Sequence, residues 1–230
     1  MTEERTGAVA EGLDWRAVFL DAWRVFSARP VTLLGLTAAI LVLWIPTHFL
    51  LFPSVLWVPL TLVVPCTAIG IRRGEATGLL DAARLGKYPE VLAILSPAAA
   101  AFILLQTFPY YLLAGASGFF GSESLLRGIL LSPFQAFDLT ASAPVGLVEI
   151  FLAFLLGPSA LLSVHRGRSS VDCLVEVFSD RRRAIEVFQL AIVLTLVFAL
   201  GLAFCCVGAI FSACFAWACL GAAYLQLFEE

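Results

Sequence analysis

Charge is scarce in this 230-residue chain, with Asp, Glu, Lys and Arg together making up 13 % of it, about half the ~25 % of a soluble globular domain. Lysine is almost absent, Lys87 standing alone among 14 basic residues. Histidine occurs twice, at His48 and His165. The six cysteines form no C-x-x-C pair and no Cys/His ligand spacing, so the usual signatures of a metal site are missing. No basic segment stands apart from the apolar sequence, which excludes a nucleic-acid-binding domain. The acidic, polar start (Met1 to Gly7) has neither the basic onset, the short apolar core nor the cleavage site of a signal peptide. The first long apolar run opens near Val31, so its helix is expected to remain as an anchor. No catalytic, cofactor-binding or metal-ligating constellation is read from the chain.

Hydrophobic residues are what the chain has in surplus, at 61 % against roughly 45–50 % in soluble domains. Few Lys with abundant Ala, Leu and Arg suggest a GC-rich bacterial genome. A chain of this length buries a good core without such an excess, so the remainder is expected to face lipid. Six apolar runs are long enough for a ~30 Å hydrocarbon core at 1.5 Å per residue. They fall at about 31–50, 52–71, 89–113, 143–164, 184–204 and 207–228. Pro30, Pro53, Pro89 and Pro144 sit in or near first turns, where the missing N–H would be unpaired anyway. The expected fold is an all-α, polytopic transmembrane bundle built from hairpins, a single membrane domain over 13–230 behind a disordered 1–12.

Orientation follows from the basic residues. With six spans and the N-terminus inside, the inner segments are the N-terminus, 72–88, 165–183 and the C-terminus. They hold four, four, five and no basic residues, leaving Arg127 alone outside. A bias this complete fixes both termini on the cytoplasmic side of a bacterial inner membrane. The densest inner stretch is His165 to Arg183.

Amphipathic segments flank the spans. Trp15, Val18, Phe19, Ala22, Trp23 and Phe26 share one helix face, with Asp14, Arg16, Asp21 and Arg24 opposite. This helix, over about 13–27, is expected at the membrane interface, the alternative being a helix packed on a protein partner. Similar cytoplasmic-side interfacial helices are expected over 76–86 and 169–180, the latter from the stripe Val171, Leu174, Val175 and Phe178. Ser169 and Asp172 form a loose capping box for it. A fourth, outer segment over Leu125 to Leu130 is too short and polar to span. Leu20-Asp21-Ala22-Trp23-Arg24 before Pro30 is faintly repeated by Leu80-Asp81-Ala82-Ala83-Arg84 before Pro89.

The Trp/Phe-rich start, Gly157-Pro158 before the inner loop and the Ser/Asp-led helix ahead of Arg181 to Arg183 give the chain its resemblance to known families. It resembles bacterial six-helix membrane families of unknown function. It is also similar to the membrane domain attached to some glycerophosphodiester phosphodiesterases. The resemblance covers nearly the whole chain as a pattern and implies no catalytic residues.

Candidate sites are few. Ionisable groups inside a bilayer are expensive and mark function or internal pairing. Glu149 lies within the fourth span, and His48, Gln106, Tyr110 and Tyr111 are expected at similar depth in the outer half. Together they would form a polar cluster for a cation, a proton or a lipid headgroup. Alternatively Glu149 is hydrogen-bonded between helices and the tyrosines are interface anchors. Pro59, Pro65, Pro97 and Pro158 read as kinks or as the broken helices of a transporter. Arg166, Arg168, Arg181, Arg182 and Arg183 are placed to contact anionic lipid headgroups, or serve only to lock topology. Gly115-Ala116-Ser117-Gly118 matches the G-x-S-G string of rhomboid-type proteases, but the last span carries no His to act as base. Cys66, Cys214 and Cys219 read as small apolar residues, with Cys205 and Cys206 near the outer turn. Gly208, Ser212 and Ala216, with Ala209 and Ala213, let another helix approach the sixth span closely. The expected role is non-enzymatic, as an organiser or subunit of a membrane assembly. Its partners are membrane lipids and other membrane-protein subunits or further copies of itself. The alternative is a small transporter or channel component using Glu149.

Overall fold

The computed structural model describes residues 12–47, 61–74, 90–97 and 139–229, and every regular element among them is helical. In chain order these are α1 (Trp15–Ala28), α2 (Pro30–Thr47), α3 (Val63–Arg72), α4 (residues 90–97), α5 (Leu139–Arg166), α6 (Ser170–Phe178), α7 (Arg181–Ala203) and α8 (Cys205–Phe228).

Three of them contain stretches long and apolar enough to cross a membrane: Leu147–Arg166, Arg181–Leu202 and Val207–Phe228. A fourth arises only if α1 and α2 are taken together, because the chain bends by 97° between them. Six spans were expected, so the described residues carry fewer. Three of the expected runs, 31–50, 52–71 and 89–113, extend beyond the described residues. The run expected at 31–50 is helical from Pro30 to Thr47 but meets α1 at this sharp bend. α3 has ten residues, about 15 Å of helix and half of what a crossing needs. Residues 52–60 of the second run, most of 89–113, the segment 76–86 and the outer segment around Leu125 lie outside the described residues, as do Ser117 and Pro59.

Sequence chemistry sets the boundaries. Asp14 caps α1, its Oδ1 accepting from the backbone N–H of Arg16 at 2.9 Å and of Ala17 at 3.1 Å. Pro30 keeps the residue before it out of helical geometry, and Arg29 accordingly sits at φ −143° and ψ 60°. That single residue makes the bend. α5 ends at Gly167, whose φ of +67° admits no side chain cheaply, with its N–H on the Ser163 carbonyl at 3.0 Å. Ser169 then caps α6, accepting from Asp172 N–H at 3.3 Å while its hydroxyl donates to the Asp172 carboxylate at 2.7 Å. Asp180 caps α7 through the N–H of Arg182 at 3.0 Å.

The core is organised around α8, which packs against α1, α2, α3, α5 and α7. Its small residues are the cause, since they bring backbones together where no hydrophobic drive separates protein from lipid. Ala213, Ala216, Cys219 and Ala223 are fully buried. A Cβ on Gly221 would lie 3.0 Å from the Pro65 carbonyl oxygen of α3, and one on Gly157 of α5 would lie 2.8 Å from Leu220 Cδ2. The helices that approach this face therefore belong to the same chain. α1 runs beside the middle of α8: Phe19 stacks on Phe215 with ring centres 6.0 Å apart, and Phe26 meets Phe211 at 6.1 Å. Pro158 lies inside α5 without interrupting it. Cys66, Cys173, Cys214 and Cys219 are free thiols, the last three buried.

Candidate functional site

The most elaborate polar arrangement among the described residues forms where the ends of α3, α5 and α8 meet α6 and the start of α7. Glu176 is its centre. Helical spacing places Glu176 on the side of α6 away from Val171, Val175 and Phe178, and turned toward the end of α5. Its Oε1 accepts from Arg166 Nη1 at 2.8 Å and its Oε2 pairs with Arg168. Its backbone carbonyl accepts from Arg183 Nη1 at 3.2 Å. The second η-nitrogen of Arg166 donates to the Phe228 carbonyl at the end of α8. The Arg183 guanidinium lies 5.2 Å above the Phe228 ring, a cation–π geometry available to a planar, weakly hydrated group.

Aromatic stacking extends the arrangement inward. Phe228 stacks on Tyr224 at 5.5 Å and Tyr224 on His165 at 5.4 Å. Ser163 donates to Glu90 Oε2 at 3.0 Å, and Ser170 donates to the Glu90 carbonyl at 3.1 Å, so α4 is tied to the same corner. Arg73 pairs with Glu229, fastening α3 to the end of α8. Arg72 pairs with Asp21 of α1 at 3.0 Å, and Asp21 also holds Arg24 at 3.1 Å. One end of the fold is thus closed by arginine–carboxylate pairs linking α1, α3, α5, α6 and α8.

α6 has three distinct faces as a result. Cys173 and Val177 are buried against the bundle, Glu176 is engaged by arginines, and Val171, Val175 and Phe178 are exposed. Burial pushes the Cys173 thiol above its usual range, and the nearby Glu176 carboxylate adds to this while Arg168 opposes it. The exposed stripe of α6 is followed along the chain by Ile185, Phe188, Ile192, Leu196 and Leu200 on the outside of α7.

The residues singled out from sequence are distributed unevenly. Of the five arginines expected to meet lipid headgroups, Arg166 and Arg168 share Glu176, Arg183 holds a carbonyl and an aromatic ring, and Arg182 pairs with Glu186 at 3.3 Å. Arg181 is exposed at the start of α7. Glu149 is 1 % exposed within α5, and its Oε2 accepts no hydrogen bond among the described residues. His48, Gln106, Tyr110 and Tyr111 lie outside the described residues, so the cluster expected around Glu149 is represented by that residue alone. No group of three or more His, Cys, Asp or Glu residues suited to a metal ion occurs among the described residues. Glu176 was not singled out from the sequence, and Asp21 was read only as part of a polar helix face. The available signal was weak: each is an acid on the polar face of an amphipathic helix whose arginine partner lies in another segment.

No protein-family model, curated protein or solved structure matches this chain.

Proposed function

We propose that this chain is a six-span protein of a bacterial cytoplasmic membrane, with both termini inside, acting without catalysis as an organiser or subunit of a membrane assembly. The observation that carries the reading is the division of labour on α6 and α7. The charged groups of these helices are mostly turned toward one another and toward α5 and α8, while their outward surface is a run of large apolar side chains. A helix with one face docked, one face charge-paired and a third apolar face exposed suits a position at the lipid boundary. The clustering of arginines at one end of α5 and α7 fits a cytoplasmic face. Under this reading the arginine–carboxylate closure holds the cytoplasmic ends of the helices in register, and the apolar belt above it is available to lipid and to partner subunits.

Native mass spectrometry of the protein, extracted gently from its own membrane, tests the proposal. A stoichiometric protein partner is expected. A lone chain that keeps only a defined lipid or ion would overturn it.

One observation favours a second reading. Glu149 is enclosed within an apolar helix, and a carboxyl held there is costly unless it is used or paired. A small transporter or channel component would use it as a proton or cation site. Reconstituted vesicles containing Glu149→Gln would then lose a proton or cation flux that the native protein supports. Equal fluxes in both would remove this reading.

A further inference from the structure

We infer that the outward face of α7 is a self-association surface, with Gln189 at its centre meeting Gln189 of a second copy across a two-fold axis. The inference rests on the reading of α7 as a membrane span and specifies one partner for the proposed assembly.

α7 is the least enclosed of the three long apolar helices: 33 % of its span is buried, against 56 % for α5 and 61 % for α8. Its exposed stripe runs through Ile185, Gln189, Ile192 and Leu196 at i, i+4, i+7 and i+11, flanked by Phe188 and Leu200. That spacing is the seam of a helix pair. Lipid acyl chains would cover the aliphatic members of the stripe, but Gln189 does not suit them. Its primary amide has two N–H donors and a carbonyl acceptor, it is exposed, and it forms no hydrogen bond among the described residues.

Depth removes the easy escape. Counting back ~20 residues from the turn at Phe204 reaches Ala184, which places Gln189 about five residues, or ~7.5 Å, inside the hydrocarbon. A side chain of two methylenes does not return the amide to the headgroups from there. A carboxamide is its own complement. Across a two-fold axis each amide donates one N–H to the other's oxygen, and the same residues of both copies form the contact, as an isologous interface requires. A ligand or partner of another chemistry would need a matching donor and acceptor at this depth, whereas a second copy supplies both automatically.

The test uses the full-length protein in liposomes. Gln189→Cys should give a covalent dimer under mild oxidation, well above that of the unaltered chain with its native cysteines. Ile192→Cys and Leu196→Cys should follow, and Phe211→Cys on the exposed side of α8 should not. Separately, Gln189→Leu should raise the dimer dissociation constant by roughly 3- to 30-fold in a fluorescence-transfer titration, the range for losing interhelical hydrogen bonds of ~0.6–2 kcal/mol. Its thermal midpoint should stay unchanged when both proteins are diluted in lipid until monomeric, because the site is on the surface of the single chain. Cross-linking at 189 no greater than in the unaltered chain would overturn the inference and leave the face to lipid or to another part of the same chain. If a different protein partner were found at the same time, the proposed function would stand without it.

Discussion

Gly201→Ala should be among the most damaging single-methyl additions in this protein. The hairpin between α7 and α8 closes so tightly that a Cβ on Gly201 would lie 1.8 Å from Ser212 Oγ, 2.3 Å from Ser212 Cβ and 2.7 Å from the Gly208 carbonyl oxygen. Ser212 Oγ can rotate away, but its Cβ and the Gly208 backbone cannot. The two helices would have to separate by about 1 Å, in the range where overpacking costs ~1–3 kcal/mol. Separation would also break the bond from the Ser212 hydroxyl to the Phe198 carbonyl of α7, at 3.4 Å, for a further ~0.6 kcal/mol. Against this, Ala favours the helix over Gly by about 1 kcal/mol. The net expectation is a loss of ~1–3 kcal/mol. Detergent-titrated unfolding in mixed micelles, followed by the fluorescence of the five tryptophans, would measure it. Ser212→Gly removes the nearest two atoms of the clash, so the double variant should be less damaged than the sum of the singles by about 1 kcal/mol or more. Native stability in Gly201→Ala, or strict additivity with Ser212→Gly, would refute the packing argument.

Glu176→Ala should lower stability by only ~1–2 kcal/mol, because the Arg168 and Arg166 side chains it serves are 52 % and 34 % exposed and screened by water. It should nevertheless loosen α6, which faster alkylation of Cys173 would report. The Cys173 thiol is raised by burial, so its neutral form is favoured in the fold, and this contribution is complete below its ordinary value of 9.0. It is lost as pH rises through 9.0 toward the elevated folded value. The native protein should therefore weaken at alkaline pH more than Cys173→Ala, in paired unfolding titrations at pH 8 and pH 10. Under the proposed topology, a reporter active only outside the cytoplasm should work when fused after Arg127 and fail when fused after Gly167. The reverse pattern would discard the six-span arrangement.

What could be read from the sequence followed the range of the interactions. The three long apolar helices α5, α7 and α8 appear within a few residues of their expected bounds, because length and composition decide them. The capping of α6 by Ser169 was visible as well, since it spans three residues. The small-residue face of α8 was visible as a surface for close approach, but its occupants, α3, α5 and α7 of the same chain, were not. The right-angle turn at Arg29 was half visible: Pro30 announced a new helix, and its direction came from packing against α8. The arginine loop shows the limit most clearly. Its charge was read as a signal of sidedness, but Glu176, which joins Arg166 to Arg168, lies ten and eight positions along the chain from them. Sequence patterns alone do not say that the intervening Gly167 turn folds the two strings of residues together.

That loop has a consequence for biogenesis under the proposed topology. While the chain is being inserted, α6 has not yet docked, so the arginines on either side of it act as unneutralised cations and hold the loop on the side where synthesis takes place. Only afterwards does Glu176 bind two of them, and Phe228, arriving with the last helix, receives a third. The same side chains thus serve first as an address and later as a latch. Replacing Arg166, Arg168 and Arg183 by lysine would keep the address, because the charge is retained. It would weaken the latch, because an ammonium cannot reproduce the forked hydrogen bonds or the planar stacking. Such a protein would enter the membrane the right way round and then close less firmly.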